Sequence, residues 1–531
     1  MNEKKKMRLK KFYLHPATTF IILTFIVMII SLILSRLNLT SYYNVIDKNN
    51  LDLESRIVKV KNMFSPEGWK FLIGNSSKNF ASFSPFINLV IALIGLSIAH
   101  ASGFIKAFLR RKTIRINNKF ITFLIILIGI FSSLIDDVGF VILIPLSALI
   151  YAVNKRSPLL GITTAFCGVA FGYGISFFAG SLDVSLVEIT ELSARIIDTE
   201  YHVPLLSNIF IMIVSSIILA IVGTIAIEGF VVNRIGKYKN GEELENTMNL
   251  TAKDLAELDD AQKIRQDNLE KKGLRNALIL GIILILIFIY MIIPGLPKSG
   301  VLLDLSEKAY VNQLFGHSSY FQRGFTFLVS LWFALVGIAY AIGAGTIKND
   351  KELVEKVSIF FKDFGELVVT IFFFVQFVAV FKESNIGLLI SCYGLDIITR
   401  SSISGIMLII ISLIIMAISG LFVTSAVTKW TLFAPTLVPM MMQSNISPEF
   451  AQFVLRAADS LSKGITPFLG YFIIYLGYLN IYNSNKEAVT IRKGLSFIMP
   501  YFMFMIIAWF IIVIGWYLLG LPLGPTSGVN I

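Results

Sequence analysis

Gly174-Ile175-Ser176-Phe177-Phe178-Ala179-Gly180 (GISFFAG) and Gly464-Ile465-Thr466-Pro467-Phe468-Leu469-Gly470 (GITPFLG) are two versions of one signature, 290 residues apart. The same offset aligns Pro145 with Pro435 and Phe140 with Trp430. Both copies lie in strongly apolar sequence. Helix breakers at matching places in two halves of a membrane chain predict duplicated, discontinuous helices, the sequence-level mark of a secondary transporter's binding site. Gly174, Ser176, Gly180, Gly464, Thr466 and Gly470 are the predicted hinges. The alternative is chance recurrence in a background rich in Gly, Ile and Phe.

The background itself sets the class. Of 531 residues, 55% are hydrophobic and only 15% charged, where soluble domains carry about 25%. Mean hydropathy is +0.76. Several apolar runs exceed the roughly 18 residues that span a bilayer. The chain reads as an all-α polytopic membrane protein with about nine transmembrane helices and two re-entrant hairpins, near residues 159–181 and 456–475. The count follows from the apolar run lengths.

A net charge of +12 could signal a nucleic-acid partner. In a membrane chain it marks cytoplasmic loops instead. The basic N-terminus MNEKKKMRLKK precedes a first span at about residues 17–34 and places that end in the cytoplasm. Arg110, Arg111, Lys112 and Arg115, then Lys155 and Arg156, mark two further inside ends. Residues 38–80 read as an external loop, and 184–202 as an acidic interfacial stretch. The mixed-charge segment 233–275 reads as a cytoplasmic linker between two halves, 1–232 and 276–531. Cys167 and Cys392 sit in apolar sequence and suggest neither a disulfide nor a metal site. Neither a phosphate loop nor a hydrolase signature is present, so no ATP engine, enzyme activity or cofactor is expected, and uphill transport needs an ion gradient.

Charge at membrane depth costs at least about 2.5–3.5 kcal/mol per residue on insertion scales, so each such residue needs a reason. The densest group is Arg456-Ala457-Ala458-Asp459-Ser460-Leu461-Ser462-Lys463. Arg456 and Asp459 are i,i+3, and Asp459 and Lys463 are i,i+4, so all three share one helix face beside Gly464. The group is either a clamp, with Arg456 for a carboxylate and Asp459 for a cation or amine, or an internally neutralised cluster that holds the hairpin. Asp183 binds a proton or substrate, or marks the membrane surface. Asp136 and Asp137 mark a turn or a proton site. Trp430 is a stacking residue or part of an interfacial belt. Lys429 reads as a snorkelling lysine, and His100 as a core histidine.

Longer stretches carry a family likeness. They are IDDVGFVILIPLSALIY (135–151), AFCGVAFGYGISFFAGSLDVSLVEIT (165–190), QFVAVFKESNIG (376–387), KWTLFAPTLVPMMM (429–442) and RAADSLSKGITPFLGYF (456–472). The last two are similar to KWALLAP-x-x-VPM and R-x-x-D-S-x-x-N-x-I-T-P. The sequence resembles the AbgT family, the p-aminobenzoyl-glutamate transporters. The resemblance implies an inverted-repeat transporter that forms a homodimer in the bacterial plasma (inner) membrane. Each protomer would have an inner core with two opposed hairpins and an outer scaffold. It also implies ion-driven import of p-aminobenzoyl-glutamate or export of sulfonamide antimetabolites. Asp183, Trp430, Arg456, Asp459 and Pro467 match the family's functional positions.

The departures fall in the same region. Ser176, Gly420 and Lys463 stand where the family usually has Asn. Ser181 and Gly470 replace Pro, and Val427 replaces Ser. Asparagine offers a carbonyl to Na⁺, whereas an ammonium only donates. Lys463 therefore predicts coupling to H⁺ on Asp459 or Asp183 rather than to Na⁺. The expected partners are a small amphipathic carboxylate, membrane lipids and a second copy of the chain, with no nucleic acid. Two alternatives remain: a transport-incompetent envelope scaffold, supported by the lost polar residues, and a carrier of another dicarboxylate or amino-acid-like solute.

Overall fold

The computed structural model describes residues 14–46, 53–113, 117–135, 137–236, 260–316, 318–401, 403–483 and 488–531. The N-terminal basic cluster, Asp136, Arg115, His317 and most of the charged linker lie outside the described residues.

Among the described residues, eight helices are long and apolar enough to cross a membrane. They are Pro16–Arg36, Pro66–Ala101, Asn118–Ile135, Ile209–Ile235, Arg265–Ile292, Tyr320–Ala344, Gly365–Glu383 and Ile491–Leu519. Shorter apolar helices, Val138–Val153, Pro158–Ala170, Gly405–Gly420 and Gly470–Ile481, lie among them. The helix Asp260–Ile292 runs unbroken from the charged sequence into the next span.

The two repeated signatures each interrupt a helix. The first element consists of Pro158–Ala170 and Ser181–Ala194, with residues 171–180 between them. The second consists of Pro448–Lys463 and Gly470–Ile481, with residues 464–469 between them. Both are longer than the sequence suggested. Ser447 caps the second element with Pro448 at the first helical position, which moves its start eight residues upstream of Arg456. Residues 184–194 of the acidic stretch form part of a helical arm packed on one side. Asp183, Leu186, Thr190 and Ala194 recur at three- and four-residue spacing and are buried against Ala426–Gln443.

The expected loop 38–80 is also corrected. Thr40–Ile46 and Leu53–Lys59 pair as an antiparallel hairpin, with Thr40 opposite Lys59. The helix Pro66–Ala81 follows, capped by Ser65. Tyr42, Tyr43, Val45 and Ile46 in one segment, and Ile57 and Val58 in the other, are residue types that favour strands, which supports this pairing over an open loop.

Burial separates two groups of helices. Only 17% of the apolar window of Arg265–Ile292 is buried, and Ile282 and Leu286 are exposed, as lipid-facing residues are. That helix packs with Tyr320–Ala344 and Ser84–Ala101 in a small apolar cluster of its own around Ala277, Val336 and Tyr340. The large core instead surrounds the two broken elements and the helices Gly405–Gly420, Ala426–Gln443 and Ile491–Leu519.

Candidate functional site

The helix Pro448–Lys463 is strongly amphipathic, yet all 16 of its residues are buried. Its polar residues Glu449, Gln452, Arg456, Asp459 and Lys463 follow spacings of three and four. They form one stripe about 21 Å long, at 1.5 Å per residue. Such a stripe normally faces water. Here it faces protein, so each group requires a protein partner.

Arg456 reaches into the first broken element. Its Nη1 donates to the Gly174 carbonyl at 2.7 Å, and its Nη2 to Asp183 Oδ1 at 2.7 Å. The side chains are 1% and 6% exposed, so this is an occluded ion pair. The left-handed backbone at Gly174, with φ of 78°, turns the carbonyl toward the arginine, a conformation that glycine adopts freely. Asp183 Oδ2 accepts from the Gly180 amide at 2.7 Å, so both its oxygens are satisfied at the start of its helix. Arg456 Nε is buried without a hydrogen-bond partner.

Three residues along the stripe, Asp459 pairs with two lysines. Lys429 donates to Oδ1. Lys463 Nζ lies 3.4 Å from Oδ2 and 2.9 Å from the centre of the Tyr173 ring. Lys429 does not snorkel, contrary to its sequence reading. It is fully buried, because Asp459 neutralises it inside the core. Gly420 gives it space: a Cβ there would lie 2.7 Å from Lys429 Nζ and would overlap Ser462 Oγ.

Trp430 is fully buried as well. Its indole N–H donates to Thr190 Oγ1 at 2.8 Å, and Gln452 Nε2 donates to the same oxygen at 3.1 Å. Asn208 joins Gln452 Oε1 at 2.9 Å, and the Tyr201 hydroxyl donates to Glu449 Oε2 at 3.0 Å. Ser460 donates to the Phe171 carbonyl and accepts from Trp509 Nε1 at 2.9 Å. Gly464 lies so close to the Phe171 ring that a side chain would collide with it.

Asp183 therefore meets Arg456, and Asp459 meets Lys463 one helical turn further along, with Trp430 linked to the Asp183 arm through Thr190. Gly174 and Gly180 complete the Asp183 end. The other hinge residues stand apart. Ser176 bonds the Phe178 carbonyl, Thr466 the Leu421 carbonyl at 2.7 Å, and Gly470 packs on Phe83. Pro467 is partly buried in the second break. Sequence reasoning missed Lys429, Glu449, Gln452, Thr190 and Tyr173. Extending the three-and-four spacing upstream from Arg456 finds Gln452 and Glu449. No local pattern finds Thr190 or Tyr173, which belong to the other repeat.

Two cavities, of about 430 and 340 Å³, open elsewhere, beside Glu366 and Gly477 and beside Phe25 and Gln376. None of Asp183, Lys429, Arg456, Asp459 and Lys463 lines either one.

A family model, the AbgT putative transporter family, matches residues 9–531. The p-aminobenzoyl-glutamate transport protein of Escherichia coli (strain K12) is 28% identical over 511 residues, 96% of this chain and 93% of that protein. Among solved structures, the Alcanivorax borkumensis YdaH transporter is 23% identical, with a TM-score of 0.46, covering 96% of this chain and all of its own. Neisseria gonorrhoeae MtrF, described as illuminating a class of antimetabolite efflux pumps, is 29% identical. Its TM-score is 0.46, over 97% of this chain and 98% of its own. The family match takes in both broken helices and every residue of the ion-pair cluster, and the chain belongs to the AbgT family of multi-span membrane transporters.

Proposed function

We propose that this protein is a secondary transporter of a small amphipathic carboxylate of the p-aminobenzoyl-glutamate type, driven by a proton gradient across a bacterial inner membrane. The observation that carries the reading is Arg456. The second broken helix supplies it, both its Nη atoms bond the first broken helix, and its Nε is buried unsatisfied. A guanidinium prefers planar, two-pronged recognition of a carboxylate. A substrate carboxylate would take the place of Asp183 and satisfy Nε as well. The exchange breaks the ion pair that ties the two elements together and so couples binding to their relative movement.

The aromatic part of the substrate would lie beside Trp430, once rearrangement of the arm releases its ring from Thr190. Asp183 and Asp459 would balance charge, with Pro467 and the glycines of each break as pivots. The functional unit would be a homodimer, with the two transmembrane halves joined by the cytoplasmic linker and the N-terminus inside. The relatives' names support the cargo class: one is called a p-aminobenzoyl-glutamate transport protein, another belongs to a described class of antimetabolite efflux pumps. Both are transporters rather than enzymes.

The test is flux of labelled p-aminobenzoyl-glutamate in proteoliposomes under separately imposed H⁺ and Na⁺ gradients, for the wild type and Arg456→Lys. Lysine keeps the charge and loses the fork, so uptake should fall at least tenfold, about 1.4 kcal/mol of lost recognition. Equal flux in the two proteins would refute the clamp.

A further inference from the structure

Around the second break, three cations and two carboxylates are buried together. Arg456 pairs with Asp183, and Lys429 with Asp459. Lys463 is the fifth group. Its nearest carboxylate oxygen, Asp459 Oδ2, is 3.4 Å away and accepts no hydrogen bond. Among the described residues no other carboxylate lies within 4.0 Å of it. Asp459 thus faces two lysines with one carboxylate, a positive charge in surplus at that site, with Lys463 only 5% exposed.

We propose that Lys463 carries the coupled proton, and that the two aspartates stay ionised throughout the cycle. This rests on the transport reading above and names the group within it that titrates.

The geometry ranks the candidates. Asp183 receives Arg456 on one oxygen and the Gly180 amide on the other, so a proton there would displace a donor. Asp459 lies between two ammonium groups. Arginine does not deprotonate in proteins. Lys429 donates a hydrogen bond to Asp459 Oδ1. Lys463 is the cation that makes no hydrogen bond to a carboxylate, held instead by Asp459 Oδ2 at 3.4 Å and the Tyr173 ring, and lysine, unlike arginine, is a cation that can release a proton.

The groups facing Lys463 come from three elements. Asp459 is on its own helix, Lys429 on Ala426–Gln443, and the Tyr173 ring in the first break. The Gly405–Gly420 helix packed alongside brings no ionisable side chain.

The step is a simple proton release. One Nζ–H bond breaks, its electron pair stays on nitrogen, and the proton passes to water. Asp459 then faces a single cation, Lys429, and that site is neutral. Reprotonation restores the positive charge that an anionic solute would balance, so the proton and the anion bind together and leave together. Lys463 is also the last residue of its helix, followed by Gly464, where movement of the break would change its access to water. A Na⁺ ion at Asp459 would instead meet two ammonium groups.

The experiment compares the wild type with Lys463→Arg, whose charge cannot be switched off, in proteoliposomes with p-aminobenzoyl-glutamate as the probe. One pH unit can drive about tenfold accumulation per proton. The wild type should approach this, and Lys463→Arg should show no gradient-driven accumulation relative to its own counterflow. Gradient-driven accumulation by Lys463→Arg as in the wild type would overturn the proposal, as would a wild type driven by Na⁺ alone.

A second measurement needs no cargo: infrared difference spectra of the protein between acidic and alkaline buffer. The proposal expects no protonated-carboxyl band that disappears in Asp459→Asn or Asp183→Asn. Such a band would place the proton on an aspartate and overturn it. Absence of counterflow in the wild type, with no such band, would count against the cargo and leave the lysine assignment supported by the spectra.

Discussion

Arg456 and Asp183 meet at 2.7 Å although 273 residues separate them in the chain. Asp183 lies in the first turn after the first interruption and Arg456 midway along the helix that precedes the second, so this ion pair ties the two broken elements together. The pair is occluded on all sides, and its parts are therefore interdependent.

Asp183→Asn should destabilise the protein by about 3–5 kcal/mol, the usual cost of leaving one member of a buried pair uncompensated. Pairing Asp183→Leu with Arg456→Met should recover most of that loss while leaving transport abolished. Thermal unfolding in detergent would check the first part and vesicle flux the second. A double variant no more stable than Asp183→Asn would show that the ion pair is not a separable unit.

At the second carboxylate the order of losses is informative. Lys429→Met leaves Asp459 with Lys463, whereas Asp459→Asn leaves two buried ammonium groups facing an amide. Asp459→Asn should therefore be the more damaging, by at least about 1 kcal/mol. The reverse order in folding yield and melting temperature would mean that Lys463 does not pair with Asp459 in solution.

Gly464→Ala places a methyl group against the Phe171 ring and should cost about 1–3 kcal/mol by overpacking. Adding Phe171→Leu should restore part of it. Melting curves of the two single variants and the double variant measure the coupling between them. Simple additivity would argue against direct contact.

Thr190→Val removes the acceptor shared by Trp430 and Gln452. Two buried donors lose their partner at about 1–3 kcal/mol each. Trp430→Phe removes only one of the two bonds and leaves Thr190 with Gln452, so its hydrogen-bond loss should be the smaller, about 1 kcal/mol before any packing change. Chemical or thermal denaturation of both variants tests the ranking.

Much of this was readable from the chain. The offset between GISFFAG and GITPFLG located both helix interruptions, and hydropathy located the spans. Arg456, Asp459 and Lys463 were correctly placed on one face by spacing alone. The reading was wrong where a segment's fate depended on its neighbours. Lys429 looks like any lysine near a helix end, and only Asp459, thirty residues on, makes its burial tolerable. Residues 184–202 read as an acidic amphipathic stretch, but only the structure shows that the apolar side of the helix Ser181–Ala194 is covered by Ala426–Gln443. The hairpin at residues 40–59 depended on pairing between two segments that are individually ambiguous.

By itself, then, the sequence determined the class of protein, the positions of the breaks and the face on which the charges lie. Those follow from local rules: apolar length against bilayer thickness, the conformational preferences of glycine and proline, and helical periodicity. Only the tertiary structure decided which distant charges pair: Arg456 with Asp183, and Lys429 with the Asp459 that Lys463 also approaches, with Tyr173 over the Lys463 ammonium. Pairing is a property of distance between chain segments, and a buried charge is held by the nearest opposite charge in space, wherever that lies in sequence.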